Sequence, residues 1–299
     1  MTEGIIEICA VLVAADAHDL SVLTLGRRAS GQGYSFSLPA APFNPERGQS
    51  FEDRLRDWAS VHTTAQITRI MQIGASTKNG RVRIGLLALV SDRNAFMPRG
   101  ARWTPIAEVF PWEDWRGGPP DSLTSVLRPA LAAGQAKHDA LFARQLGHWR
   151  PELAAARFEA LYGAGLLPEA LRDRSGAMIL VRERHAAIYG QIMQGDDRKT
   201  IAMALSHLRT ELGRAPVLSA LLPSPFTLGV LQNTVEAIIG LRLHTQNFRR
   251  DLARTDLVVK TGKSGRVGNS RPGQLWTWAH PDDAYNALPG MPLPRKTSA

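Results

Sequence analysis

The chain has 299 residues, 44% hydrophobic and 21% charged, an ordinary globular composition with length for roughly two domains at ~100–200 residues each. No apolar run reaches the ~18–20 residues that span a bilayer, no basic stretch precedes the first apolar segment, and the single Cys9 excludes an internal disulfide or a cysteine-rich zinc site. The expectation is a cytoplasmic protein with no membrane partner. Of the formal charge of +9, most lies at one end: residues 241–299 hold 10 basic and 4 acidic side chains, against 13 and 12 in 1–120 and 13 and 11 in 121–240. Positive charge concentrated in one segment points to a phosphate-bearing polyanion.

The first hundred residues read as strands. Residues 5–14 form a β-branched run, 15–19 a polar turn, and 21–25 a second strand. Residues 66–75 and 81–90 flank Lys78-Asn79-Gly80, where Asn-Gly is a strong hairpin signal. Between these pairs, 50–61 has the pattern of a helix capped by Ser50, with Asp53 three positions on and a stripe of Phe51, Leu55, Trp58 and Val61. Strands, helix, strands is the order of an α+β unit with its helix laid on a mixed sheet. An aromatic connector, 103–115, ends in the linker Gly117-Gly118-Pro119-Pro120. Helical spacing then dominates to residue 222, with helices expected near 135–148, 151–162, 178–194 and 198–212, and a stop or kink at Pro129.

After Pro223-Ser224-Pro225 the pattern is a helix from Thr227 to Gly240, a short turn, a helix from Thr245 to Arg254, a strand 257–261, a Gly-rich loop and a strand 274–278. Helix, turn, helix and hairpin is the order of a winged helix-turn-helix. The second helix opens with the chemistry that the major groove reads: Gln246 and Asn247 suit adenine, Arg249 and Arg250 suit guanine or phosphate, and Thr245 is a further DNA-binding candidate. The loop adds Lys260, Lys263, Arg266 and Arg271 for backbone or minor-groove contact. A solvated basic surface is the simpler reading. Element order, residue type and charge asymmetry together favour double-stranded operator DNA as the partner.

The stretch from Phe226 to Leu252, followed by Ser270-Arg271-Pro272-Gly273-Gln274-Leu275-Trp276, resembles the C-terminal domain of the Nudix-related transcriptional regulators of bacterial NAD metabolism. The landmarks are Phe226-Thr227-Leu228, Leu231-Gln232, Glu236-Ala237-Ile238, Gly240, Asn247-Phe248-Arg249-Arg250 and Arg271-Pro272. The resemblance implies a homodimeric repressor on a palindromic operator, nucleoid-associated when bound, with an adenine nucleotide effector: ATP, NAD or ADP-ribose. It divides the chain into a Nudix-like α/β sandwich (1–118), a helical linker or dimerisation region (119–222) and the winged helix-turn-helix (223–299). The hundred helical residues of the middle exceed the family's short linker. With the loss of the box described next, they suggest the branch that controls de novo NAD synthesis.

A Nudix hydrolase needs clustered carboxylates on one helix to hold divalent metal against a pyrophosphate. Aligning Gly48-Gln49-Ser50 with the start of the family's box puts Asp57, Trp58, Val61 and His62 where Arg and three Glu belong, and Thr64 in place of Gly. The expectation is therefore no catalytic residue, no metal, and a hydrolase cleft turned into a sensor pocket. Its candidates are Arg27, Arg28, Arg69 and Arg83 for phosphate and Phe43, Trp58 and Trp103 for adenine, each of which also suits a core or a solvated rim. The rival readings are a nucleotide pyrophosphatase with an atypical metal site built on Asp53 and Asp57, and a non-specific nucleic-acid binder. The P-loop-like Thr261-Gly262-Lys263-Ser264 lacks the earlier Gly of that motif and precedes no helix, and is read as the wing.

Overall fold

A computed structural model describes residues 5–28, 34–45, 48–78, 80–93, 95, 97–131, 140–142, 149–175, 183–267, 272–279 and 290–293. Its N-terminal sheet is built from β1 (Ile5–Ala15), β2 (Leu20–Arg28), β3 (Tyr34–Ser37), β4 (Ala40–Phe43), β5 (Ile67–Lys78), β6 (Arg81–Val90) and β7 (Ala101–Pro105). The order is β3-β2-β1-β6-β5, with β4 antiparallel to the first half of β1 and β7 antiparallel to β2. β1 and β6 are parallel at the centre, in register from Ile5↔Arg81 to Ala14↔Val90. Their near-continuous apolar character follows, because a central parallel pair is covered on both faces. Along β1, Ile8, Ala10, Leu12 and Ala14 enter one core and Cys9, Val11 and Val13 the other. The two long strands β5 and β6 pair as the expected hairpin. β3, β4 and β7 escape the sequence reading because strands of four or five residues, two of them containing a proline, show too little alternation.

Helix α1 (Phe51–His62) covers the first face. Ser50 caps it, accepting from the Asp53 backbone N–H at 3.0 Å, while the Asp53 carboxylate accepts from the Ser50 N–H at 3.3 Å, the reciprocal capping box. Leu55, Trp58 and Ala59 are buried. Val61, expected on the apolar stripe, is 77% exposed: three residues beyond Trp58 it lies about 60° round the helix from it, and Ala59 takes the place in the core.

The second face is covered by the helical middle. After α2 (Ile106–Val109) and a π-helical turn, Ser122–Leu127, that runs into Arg128–Ala130 and stops there, come α3 (Ala154–Gly163), α4 (Pro168–Ser175), α5 (Glu183–Tyr189) and α6 (Asp197–Leu212). The helix expected at 135–148 falls mostly outside the described residues. α6 packs on β1, β5 and β6. One hydrophobic core runs from Val11 and Leu87 through Ile201, Leu205 and Leu208 to Leu231 and Val235. The middle region, expected as a helical linker or dimerisation region, thus lays α6 on the sheet as a further layer.

Charged residues lock the layers. Asp197, at the start of α6, accepts from the Leu38 N–H at 2.7 Å and from Arg83 Nη1 at 2.5 Å, and Arg83 also pairs with Glu7 at 3.2 Å. Arg198 pairs with Glu169 and donates to the carbonyls of Val109 and Tyr189. Glu113, just after α2, is fully buried between Arg157 of α3 and Arg209 of α6.

Candidate nucleic-acid interface and the neighbouring cleft

The C-terminal unit consists of β8 (Phe226–Thr227), α7 (Leu228–Ile239), α8 (Thr245–Leu252), β9 (Val258–Gly265) and β10 (Gly273–Trp278), with sheet order β8-β10-β9. Thr227 caps α7 by accepting from the Val230 N–H at 3.3 Å, and Gly240 ends it in the left-handed conformation at φ 70°, the usual stop for a helix that must turn sharply. Leu231, Val235, Ile238 and Ile239 are buried beneath it.

The turn between the helices is held by a buried polar network. Glu236 Oε1 accepts from the Leu243 N–H at 3.0 Å and from Gln232 Nε2 at 2.9 Å. The same amide donates to the Leu243 carbonyl at 3.0 Å and to Thr245 Oγ1 at 3.2 Å. Arg242 closes the other carboxylate oxygen of Glu236 at 2.8 Å. Gln232 and Glu236 therefore set the angle at which α8 leaves α7. Their place in the quoted family landmarks was the only sign of this in the sequence, since an i, i+4 polar pair on a helix is usually exposed.

α8 is anchored by Phe248 and Leu252, both buried, and its remaining face is open: Thr245, Gln246, Asn247, Arg249 and Arg250 are all exposed. Arg250 Nε leans on Asp251 at 3.0 Å. On the wing, Lys263 and Arg266 are exposed, and Lys260 extends over the Trp276 ring with its Nζ 5.7 Å from the centroid. Arg271 lies outside the described residues. A short helix with two apolar anchors and five polar side chains outward, beside a basic hairpin, has the shape and chemistry of a groove reader.

Residues 219–278 match the sequence model of the NrtR DNA-binding winged helix domain. The C-terminal unit is thus similar to the NrtR winged helix. Over 100 residues the chain is 30% identical to the ADPR responsive transcriptional repressor NtrR of Acinetobacter baylyi, a match covering 33% of this chain and 40% of that one; the chain thus spans about two fifths of the length of this curated relative. The fold is shared more widely. Shewanella oneidensis NrtR superposes with a TM-score of 0.55 at 18% identity over 96% of this chain and 98% of its own. The same protein complexed with a 27mer DNA gives 0.54 at 18% identity over 92% and 94%. A MutT/nudix family protein from Enterococcus faecalis gives 0.51 at 12% identity, covering 93% of this chain and 87% of that one. The described residues thus share the fold of these structures, a Nudix-like sandwich joined to a winged helix.

Of the effector candidates with described side chains, Phe43, Trp58 and Trp103 pack against one core, and Arg83 lies on the other face of the sheet. Phe43 packs on Phe51 with ring centroids 4.6 Å apart, and Trp58, 9% exposed, stacks on His62 at 4.9 Å. Both rings face the core beneath α1. Arg83 lies against the opposite layer, its guanidinium committed to Asp197 and Glu7, and so is not available as a phosphate ligand beside α1. Arg69 is half-buried on β5, and the side chains of Arg27 and Arg28 lie outside the described residues. Trp103 is half-buried on β7, its indole N–H donating to the Arg93 carbonyl at 3.0 Å.

The two acids that remain on the box helix α1 at i, i+4 are already engaged. Asp53 is engaged in the cap, with hydrogen bonds from Ser50 holding its carboxyl below the usual range, and Asp57 accepts from Gln49 at 2.8 Å. The positions of the principal acids carry the buried Trp58 and the exposed Val61. Among the described residues no three His, Cys, Asp or Glu cluster as metal ligands do.

Trp103 does face an opening. A cleft of about 1850 Å³ separates the edge of the large sheet from the winged helix. Its sheet side is formed by 15–18, 91–93 and Trp103, and its winged-helix side includes Asn233, Arg249, Lys260, Gln274 and Trp276. Residues from the DNA-reading and effector-binding expectations meet there.

Proposed function

We propose that this protein is a transcriptional repressor that reads double-stranded operator DNA through α8 and the β9–β10 wing, and whose hold on DNA is set by a small adenine nucleotide. The observation that carries this reading is α8 itself: five exposed polar side chains on a helix fixed by Phe248 and Leu252, within a segment that matches the NrtR winged helix. The relative from A. baylyi is named for its response to ADP-ribose, which supports ADP-ribose as the first effector to test, with ATP and NAD beside it. The genes we expect it to control are those of NAD synthesis.

Two copies on a palindrome would place their reading helices about one helical turn, ~34–36 Å, apart. No helix among the described residues is long and apolar enough to cross a membrane, consistent with work at DNA. The Nudix-like unit serves this function as a binding module: Trp58 and Val61 stand at the acid positions, and the remaining Asp53 and Asp57 are engaged by Ser50 and Gln49.

The test is fluorescence anisotropy with a labelled duplex from the protein's own upstream region. Salt must be fixed, because phosphate contacts make affinity strongly ionic-strength dependent. Specific binding that shifts about 5–150-fold with nucleotide, the range of a ~1–3 kcal/mol coupling, is the expected result. Equal affinity for specific and random duplexes would remove operator reading. Release of AMP and ribose 5-phosphate from ADP-ribose with magnesium would return the chain to hydrolysis.

A further inference from the structure

The two ends of α6 hold different parts of the molecule. At its start, Asp197 is 2% exposed and accepts from the Leu38 N–H at 2.7 Å and from Arg83 Nη1 at 2.5 Å. Within two turns the helix enters a notch in the sheet. Gly74 of β5 and Gly85 of β6 are cross-strand partners, and side chains of α6 occupy the space that their own would take. A Cβ on Gly74 would stand 2.5 Å from Met203 Cε, and one on Gly85 3.4 Å from Thr200 Cγ2. The stripe of Ile201, Leu205 and Leu208 lies in one core with Val11 and Leu87. α6 is therefore fixed along the sheet as well as against it.

About 18 Å from Asp197 along the helix, Arg209 is 3% exposed and grips the reading head. Its Nε donates to the Ile238 carbonyl at 2.8 Å, and its Nη1 to Glu113 at 2.5 Å and to the Pro151 carbonyl at 3.0 Å. Ile238 lies in the last turn of α7, where carbonyls have no partner within the helix and a cation meets the negative end of the dipole. α7 also packs on β1 and β2. Apolar contact is non-directional, so it resists separation better than rotation. The Arg209 hydrogen bond is directional, and it acts just before Gly240, where the chain turns towards α8.

We propose that Arg209 is a positioning residue for operator reading, and that α6 is the rod through which the Nudix-like sheet sets the aim of α8. The proposal rests on the functional reading above in taking α8 as the helix that reads DNA. Arg209 acts through Ile238 and the Gln232–Glu236 network, which passes the rotation of α7 on to α8. Base readout needs side chains at fixed angles to base edges, whereas phosphate attraction tolerates a swivelling head. Loosening the grip therefore costs specificity before it costs affinity.

The experiment pairs a distance measurement on the full chain with duplex binding. Spin labels on Ser60→Cys of α1 and Ala253→Cys at the end of α8, both exposed positions, report the aim of the head by double electron–electron resonance. Cys9 is buried and takes no label. Arg209→Lys keeps a cation beside Glu113 but loses the fork that spans Glu113 and the Ile238 carbonyl. It should broaden the distance distribution. It should also lower the ratio of upstream to random duplex affinity by about tenfold, the loss of one well-read base pair. Random-duplex affinity and its salt slope, which rest on phosphate contacts, should stay. Asp197→Asn, at the other end of the rod, should move both readings the same way, and it decides the matter if circular dichroism shows Arg209→Lys unfolded. A lower melting temperature with distribution and ratio unchanged would make the grip merely structural and overturn the proposal. So would a broadened distribution with the ratio intact. Readings moved by Arg209→Lys but not by Asp197→Asn would leave the grip and overturn the rod. A wild-type chain with no preference for the upstream duplex would strike the proposed function instead, and the distance distribution alone would then judge the rod.

Discussion

The carbonyl oxygen of Glu113 lies against Gly240 so closely that a Cβ built on the glycine would stand 2.2 Å from it. Gly240 is the left-handed stop of α7, at the start of the turn that aims α8. Its own carbonyl accepts from the Trp115 N–H at 2.8 Å, and the neighbouring Ile238 carbonyl accepts from Arg209 Nε at 2.8 Å. The segment that leaves the Nudix-like sheet is thereby clamped to the hinge of the reading head.

Gly240→Ala meets both a backbone conformation unfavourable to any Cβ and this contact. Strain at positive φ together with overpacking against backbone is expected to cost on the order of 2–4 kcal/mol. Urea unfolding followed by tryptophan fluorescence should show an earlier midpoint with an unchanged slope. Affinity for the upstream duplex should fall with it.

Glu113→Gln removes the charge that compensates two buried arginines. Arg157 gives Glu113 two hydrogen bonds, at 2.6 and 2.9 Å, and Arg209 a third at 2.5 Å. Breaking a buried pair from one side leaves charge unsatisfied, at about 3–5 kcal/mol. The same melt reads it, and a loss under about 1 kcal/mol would mean that the arginines find other partners.

The pH dependence has a definite sign. Burial pushes the Glu113 carboxyl up, but Arg157 and Arg209 more than offset it, so its folded pKa lies below its ordinary value. Its contribution is therefore present above the unfolded pKa and lost as pH falls through the folded one. Asp197 is opposite: burial raises its pKa despite Arg83 and the Leu38 N–H, so on its account stability increases as pH falls through that raised value. Urea midpoints measured from pH 7 to pH 3 should fall on the acid side, and Glu113→Gln should flatten that fall. An unaltered acid limb in the variant would assign the effect to other carboxylates.

On DNA, Asn247→Ala and Arg249→Ala should each cost about 1–3 kcal/mol at the operator and relax discrimination at one position. Lys263→Ala should weaken all duplexes evenly and lower the salt slope by about one. Competition against random duplex at several salt concentrations separates the two behaviours.

Val61→Glu restores one acid of the hydrolase pattern at a residue that is 77% exposed. Stability should change by less than about 0.5 kcal/mol and no ADP-ribose hydrolysis should appear, because Trp58 still fills the companion position. Thermal melting, and chromatography for AMP after incubation with ADP-ribose and magnesium, check both halves.

The sequence by itself determined whatever rests on local pattern. The apolar run of β1, the hairpin of β5 and β6, the capping box at Ser50 and the stop at Gly240 are each written within a few consecutive residues. So is α8, where buried Phe248 and Leu252 leave Gln246, Asn247, Arg249 and Arg250 outward at helical spacing. The missing acids at Trp58 and Val61 were equally legible. Tertiary structure alone decided where partners distant in sequence meet. Nothing local says that Arg83 belongs to Asp197, 114 positions away, or that Glu113 joins α3, α6 and the turn before α8. The helical middle looked like a linker because periodicity shows that a helix has an apolar face without saying what that face covers; it covers the sheet. Trp103, Arg249 and Lys260 line one cleft for the same reason, since a cleft is made by how two units pack, and packing carries no sequence period.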